Sequence, residues 1–387
     1  MIKLISVDEL RQGMFIHKLE VWWLKDKGIR NQMLITDTRQ IAQIRHEGIQ
    51  QVWIDPDKSV PLPVPPVVQK DIARTPFFQE LDQAQTIFNQ GKPQVLAMFN
   101  EARMGRGLDL GFMLELVDEI AGSITRAPTA LLSVARLKNH DDYTYLHSMA
   151  VCGLMISLGK KMGLDEHQLR RVGMGGLLHD VGKAAVPLSI LNKPTQLSDE
   201  EFIIMREHPI IGAQLLMDAE AGEDLVDMAL HHHEKFDGSG YPHGLKGEEI
   251  SLFSRMAAVC DVYDAVTSDR AYRKGWSPAE AMHKMLSWRG HFDSTLLHEF
   301  VRTIGIYPVG SLVRLASGRV ALVVEASEIS LMKPKVHVFW SLHSQREVKP
   351  EALDLGDSFC TDTITGAEDS GLWHNVDLNR IWALESA

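Results

Sequence analysis

The sequence predicts a mainly helical protein: an all-α bundle, preceded by a small α+β domain and followed by a short β-rich appendage. Three observations carry that expectation. From His140 to about Gly305 the helical signal is nearly continuous. The stretch SVPLPVPPVVQ packs four prolines into eleven residues, which denies both helix and central strand and marks a stiff extended linker. After Tyr307 the apolar residues alternate with polar ones, the period of a half-buried strand.

The elements follow in order. Residues 1–57 mix extended segments, FIHKLEVWWL and QQVWID, with a helical segment, TDTRQIAQIRHEG, which ends at Gly48. Trp22, Trp23 and Trp53 are assigned to the core of this small α+β domain. Residues 58–74 form the proline-rich linker. Residues 75–139 read as a helical connector, in which FFQELDQAQTIFNQG and LGFMLELVDEIAGSITR show a 3.6-residue apolar period with glycine stops. Long amphipathic helices of this kind suit a homodimer.

In the bundle, 140–306, Ser198 with Glu201 and Ser277 with Glu280 have capping-box spacing. Pro209 should open a new helix and leave His208 at the junction. In the appendage, 307–387, GSLVRLASGRVALVVEAS reads as a hairpin turning at Ser317-Gly318, and KVHVFWSL adds a strand. The extreme tail gives no signal.

Composition narrows the function classes. With 45% hydrophobic and 24% charged residues, 387 residues form an ordinary globular chain of more than one domain. A formal net charge of −11 argues against a nucleic-acid binder that works through bulk positive charge. Cys152, Cys260 and Cys360 are far apart and fit a reducing cytoplasm, not a disulfide framework. No signal peptide is evident, and no run approaches the ~18 apolar residues of a spanning helix. The expectation is a cytoplasmic protein without membrane insertion.

Chemistry concentrates in a few places. His231 to Pro242 reads HHHEKFDGSGYP, which offers imidazoles, a carboxylate and a backbone able to pass close to a ligand. Alone it reads equally as a surface loop. His179-Asp180 ends an apolar helix, GMGGLLHDVG, with Lys183 just beyond. His147 lies in an apolar helix, where an ordinary core histidine is the alternative, and His208 alone could cap a helix. Asp261 and Asp264 sit three apart on one face of RMAAVCDVYDAVTS, and burying two carboxylates there is costly without cations. A binuclear hydrolytic centre needs this mixture of imidazoles and a bridging carboxylate.

In their order along the chain, DDYTYLHS, HDVGK, REHPIIGA, HHHEKFDGSGYP and DVYDAVTSDRAYR resemble the HD-GYP domains, a branch of the HD phosphohydrolase superfamily. The resemblance implies an HD-type bundle and a phosphodiesterase that opens cyclic di-GMP to linear pGpG, in some members continuing to GMP. It assigns His147, His179, Asp180 and Asp261 to one divalent metal. Asp180 as bridge, with His208, His232 and His233, holds a second. His231 is left out. Some members hold a third ion through a glutamate where this chain has Tyr143, so two ions are expected. Iron and manganese come first as candidates, and cobalt, nickel or zinc suit the same ligands.

The implied mechanism is in-line attack by a metal-bridging hydroxide. Lys183 stabilises the developing charge, and Asp264 accepts a proton from the nucleophile or orients it. Lys183, Arg270 and Arg273 supply positive charge for a dianionic cyclic dinucleotide, and a solvated helix end is the plain alternative for the two arginines. Gly240 lets the loop turn and Tyr241 offers a ring face to a guanine or a hydroxyl to the phosphate, a purely structural turn being the plain alternative, and in the family this loop is also implicated in contacts with GGDEF-domain diguanylate cyclases. A catalytically weak sensor of the same ligand and an HD hydrolase of another phosphate ester are the competing readings. The N-terminal segments DELRQGMFIHKLEVWW and MLITDTRQIAQIRHEGIQQVWID resemble a small domain of unknown function that often precedes HD-GYP domains.

Overall fold

The structure, a computed structural model, describes residues 2–7, 10, 13–19, 32–36, 38–46, 49–56, 58–59, 77–136, 143–269, 274–327, 330–373 and 376–382. It divides into two compact units, Met1–Ile72 and Ala73–Ala387. Trp22, Trp23 and most of the proline-rich stretch lie outside the described residues.

The first unit is a four-stranded antiparallel sheet with one helix. Its strands are β1 (Lys3–Ser6), β2 (Phe15–Leu19), β3 (Met33–Leu34) and β4 (Gln51–Ile54), in the order β1-β4-β2-β3, and its helix is α1 (Thr38–His46). Alternation places Ile5, Ile16, Val52 and Ile54 on the inner face, where Ile41 and Ile44 of α1 pack with them. Trp53 points the other way and is half-buried.

The second unit starts with α2 (Phe77–Arg103), α3 (Leu110–Arg126) and α4 (Pro128–Arg136). Then come α5 (Tyr143–Lys161), α6 (Glu166–Leu178), a 3-10 turn (Val181–Ala185), α7 (Leu188–Leu191), α8 (Asp199–Met205), α9 (His208–Asp218) and α10 (Glu223–His231). The bundle closes with α11 (Leu252–Thr267), α12 (Pro278–Ser287) and α13 (Ser294–Ile304). One apolar core runs from Ala84 on α2 to Ile304 on α13. Gly91 does not stop α2. The helix continues through Gly91 and Pro93, and Gly91 serves instead as the place where Met149 and Leu116 pack: a Cβ there would meet Met149 Cε at 2.7 Å.

Helix α5 is apolar all round and lies at the centre, with Ala150 through Leu158 almost wholly enclosed. Helix α6 approaches it closely at Gly176, where a Cβ would sit 2.9 Å from the Cys152 backbone. That contact sets the spacing between His147 on α5 and His179 at the end of α6. Ser198 and Glu201 make the expected reciprocal capping box, whereas at α12 only half of the expected box forms: Ser277 accepts from the Glu280 N–H, with Pro278 opening the helix. Pro209 sits in the first turn of α9, so His208 begins that helix.

Phe300 on α13 is fully buried and meets Tyr263 of α11 edge to face, with ring centroids 5.0 Å apart. Phe300→Ala is expected to cost about 3–5 kcal/mol of stability, read as a lower urea midpoint at unchanged slope.

The chain ends in a five-stranded antiparallel sheet of β5 (Leu312–Leu315), β6 (Arg319–Glu325), β7 (Lys335–Ser341), β8 (Arg346–Asp354) and β9 (Ile364–Ala367), in the order β8-β7-β6-β5-β9. Gly318 takes φ +70° in the hairpin between β5 and β6. The central strands β6 and β7 are buried on both faces and not, as the alternation suggests, on one. Ala321 and Val323 face one cluster, while Val320 and Leu322 face another built with Trp373 and Ile381. The tail supplies that cover through α14 (Leu378–Trp382), whose Ile381 carbonyl accepts from His337 Nδ1 at 2.8 Å.

Candidate metal centre

The site is made largely from the ends of helices. His147 comes from α5 and Asp261 from α11, but His179 is the C-cap of α6, Asp180 opens the 3-10 turn, His208 begins α9 and His232 caps α10. The HDVGK turn reaches α9 through Gly182. A Cβ at that position would lie 1.9 Å from the His208 carbonyl and 2.5 Å from Gly212 N, so only glycine lets the two backbones touch.

Ligand-type atoms converge in two groups. Those of Asp180, His208, His232 and His233 all lie within 4.8 Å of one another, and so do those of His147, His179 and Asp261. Asp180 stands between the groups. Its Oδ1 is 3.2 Å from His208 Nε2 and 3.7 Å from His232 Nε2, while its Oδ2 is 3.3 Å from His179 Nε2 and 3.6 Å from His147 Nε2. Asp261 turns Oδ1 to His147 Nε2 at 3.0 Å and Oδ2 to His233 Nδ1 at 3.7 Å.

The backs of the imidazoles are fixed. His179 Nδ1 donates to the Gly176 carbonyl at 2.8 Å, His208 Nδ1 to Met205 at 2.6 Å, His232 Nδ1 to Ala229 at 2.9 Å, and His147 Nδ1 to Asp264 Oδ2 at 2.6 Å. With Nδ1 protonated, each ring turns a lone pair on Nε2 toward the centre, the orientation a cation needs. His179 Nε2 and Asp180 Oδ1 are buried and make no hydrogen bond, which suits atoms meant for a metal rather than a proton. The donor set of neutral imidazoles and carboxylates therefore fits divalent cations.

The protonation states agree. Burial pushes Asp180 up, yet the Lys183 ammonium and the His179 and His208 rings hold it well below the usual carboxylate range. Asp261 is likewise raised by burial and more than offset by His147, His233 and His179. Burial and the neighbouring rings hold His232 well below the ordinary imidazole value, and burial takes His233 to about 3. His179 shifts the other way, because Asp180 outweighs its burial.

In metal-free protein the unfolded chain protonates His232 and His233 below the ordinary value of 6.5, whereas the folded chain keeps His233 neutral down to about pH 3 and holds His232 well below its ordinary value, so acidification favours unfolding. Asp180 and Asp261 add stability that is lost as pH falls through their depressed values, and the raised His179 opposes both effects. Metal-free protein is expected to show a lower urea midpoint at about pH 5 than at neutral pH, an equal or higher midpoint being the contrary result.

The other expected residues are placed as follows. Lys183 Nζ lies 2.5 Å from Asp180 Oδ2, on the His147 side of that carboxylate. Asp264 stands behind His147, hydrogen-bonded to the ring nitrogen that faces away from Asp180. His231 turns elsewhere, with Nδ1 donating to Asp227 at 2.7 Å and Nε2 lying 3.1 Å from His243 Nδ1. Gly240 packs on the backbone of Glu234 and Lys235, where a Cβ would come within 2.3–2.5 Å, and the Tyr241 ring lies 4.8 Å from His233. Arg270, Arg273 and the side chain of Tyr143 lie outside the described residues.

Two contributors escaped the sequence reading. Glu234 is buried, and its Oε1 accepts from the backbone of His243 at 2.7 Å and Gly244 at 3.0 Å, clasping the glycine-rich loop. Arg206 lays its guanidinium over Tyr241, 4.4 Å from the ring centroid. A base two residues before a predicted ligand was the available signal for Arg206; for Glu234 it was a carboxylate directly after the paired histidines.

No helix among the described residues is long and apolar enough to cross a membrane. An HD domain matches residues 128–296, and a domain of unknown function (DUF3391) matches residues 2–111. A cyclic di-GMP phosphodiesterase of Pseudomonas aeruginosa is 45% identical over 396 residues, covering 99% of this chain and 96% of its own. The cyclic di-GMP phosphodiesterase response regulator RpfG of Xanthomonas campestris is 41% identical over 155 residues, 39% of this chain and 40% of that one. A 3'3'-cGAMP-specific phosphodiesterase of Vibrio cholerae is 35% identical over 175 residues, 45% of this chain and 41% of that one. With near-complete coverage of a relative at that identity, an HD domain over the bundle and the HHHEKFDGSGYP loop beside the histidine cluster, this chain belongs to the HD-GYP branch of the HD-domain family.

Proposed function

We propose that the chain is a metal-dependent phosphodiesterase that hydrolyses cyclic di-GMP to linear pGpG, lowering the concentration of a second messenger. The observation that carries this reading is Asp180, whose two oxygens face two separate sets of imidazoles. The full-length relative named for this activity supports the substrate. Two divalent ions, iron or manganese foremost, would supply Lewis acidity and a water of lowered pKa that serves as the nucleophile.

The chain's own residues do the rest. His147, His179, Asp180 and Asp261 form one ligand set, and Asp180, His208, His232 and His233 the other. Lys183 brings a cation to the edge of the centre and stabilises charge that develops on the phosphoryl oxygens. Asp264 holds the His147 ring and so positions a ligand, which fits its contact better than proton transfer from the nucleophile. Tyr241, whose hydroxyl is raised by burial and by Asp261 and Asp180, remains a neutral wall for the substrate.

The same reading places catalysis in residues 140–306 and a homodimer contact in the helical connector, 75–139. It also assigns a GGDEF-domain protein to the glycine-rich loop and the cytoplasm as the compartment. A second substrate, 3'3'-cGAMP, is favoured by the relative named for it. The test is incubation of protein, loaded anaerobically with iron or manganese, with each cyclic dinucleotide, resolving products over time beside Asp180→Ala. Conversion of cyclic di-GMP to pGpG supports the reading; tight binding without turnover supports a sensor instead.

A further inference from the structure

A cyclic dinucleotide carries two phosphodiesters, and the metal centre engages one of them. The other needs a cation outside the metal centre. Among the described residues Arg206 is suited to that task. It ends α8, two residues before His208, and is exposed. Its guanidinium lies over Tyr241, and Tyr241 in turn packs on His233, which places the charge at the rim of the centre.

Stacking uses the face of a guanidinium and leaves its edge of N–H donors open, in the plane that matches a phosphate. Arg126, Arg171, Arg255 and Arg314 each grip a carboxylate. Arg206 has no carboxylate within ion-pair distance among the described residues. Lys183 lies against Asp180 in the centre itself, where it serves the phosphodiester engaged there. Nearby Asp180 and Asp261 also act on Tyr241, which places the Arg206–Tyr241 pair within the field of the centre.

We propose that Arg206, stacked on Tyr241, is a substrate-positioning residue that binds the phosphodiester of a cyclic dinucleotide not engaged by the metal centre. This rests on the phosphodiesterase reading above. Because the contact is with phosphate and not with a base, it serves cyclic di-GMP and 3'3'-cGAMP alike.

The test compares metal-loaded wild type, Arg206→Ala and Arg206→Lys. The substrates are cyclic di-GMP and bis(p-nitrophenyl) phosphate, which has a single phosphodiester, and melting temperature and metal content are measured for each protein. Loss of one bidentate charged contact is expected to raise KM for cyclic di-GMP about tenfold to a hundredfold, with little change in kcat. Turnover of bis(p-nitrophenyl) phosphate, metal content and melting temperature should stay at wild-type values. Arg206→Lys, which keeps the charge without the planar fork, should fall between the two.

An unchanged KM for cyclic di-GMP in Arg206→Ala overturns the assignment. So does an equal loss on both substrates, which would make Arg206 a support for Tyr241 only. Should wild type turn over neither cyclic dinucleotide, the functional reading fails. Calorimetric titration with a phosphorothioate cyclic di-GMP then decides Arg206 alone, equal affinity of wild type and Arg206→Ala being the outcome against it.

Discussion

Asp180→Ala is expected to lower hydrolysis of cyclic di-GMP by at least about a thousandfold, because nucleophile activation and charge stabilisation disappear together. No other described residue links the two ligand groups through opposite carboxylate oxygens as closely as Asp180, at 3.2 Å to His208 and 3.3 Å to His179. Its loss also strands the Lys183 ammonium, which lies 2.5 Å from the missing carboxylate. Metal content measured on the same preparation should fall by one ion or more per chain. Asp180→Asn, isosteric but with one acceptor oxygen and no charge, should share the defect. A variant that keeps both metal and turnover would remove Asp180 from the centre.

Gly182→Ala should be almost as damaging without replacing a ligand. The added methyl would occupy space 1.9 Å from the His208 carbonyl and 2.5 Å from Gly212 N, and backbone cannot give way as a flexible side chain does. Relief requires the HDVGK turn and α9 to separate, which moves Asp180 away from His208. A stability loss of about 3 kcal/mol is expected, accompanied by weakened metal retention. Gly107→Ala is the control, since a Cβ there meets nothing within 4 Å. Urea denaturation and metal analysis of the two variants should diverge; equal behaviour would mean that the close approach is unimportant.

Much of the centre was legible because its chemistry is written in short, ordered motifs. The seven expected ligands His147, His179, Asp180, His208, His232, His233 and Asp261 come together, and His231, which the resemblance leaves out, turns to Asp227 and His243. The helical class and the capping box at Ser198 follow from local periodicity and cap chemistry.

What escaped depends on through-space packing. Gly91 looked like a stop because its role is to receive Met149, a residue far away in sequence. The β5–β9 sheet looked one-sided because the second cover comes from Trp373 and Ile381, in a tail with no periodic signal. The sequence offers Asp264 as a group that accepts a proton from the nucleophile or orients it, and says nothing of a contact with His147. The Asp264 contact with the outward nitrogen of His147 depends on how α5 meets α11.

The division of labour within the bundle has a consequence for how a metal is acquired. Apolar helix bodies build the core, whereas His179, Asp180, His208 and His232 stand at helix ends. Folding energy thus comes from burial that needs no ion, unlike small zinc domains that collapse only around their metal. Loading is then expected to follow folding, with His233, 22% of whose side chain is exposed, on the accessible side of the centre. Imidazole and carboxylate donors do little to distinguish neighbouring transition metals, so the pool a cell offers the folded protein selects the occupant.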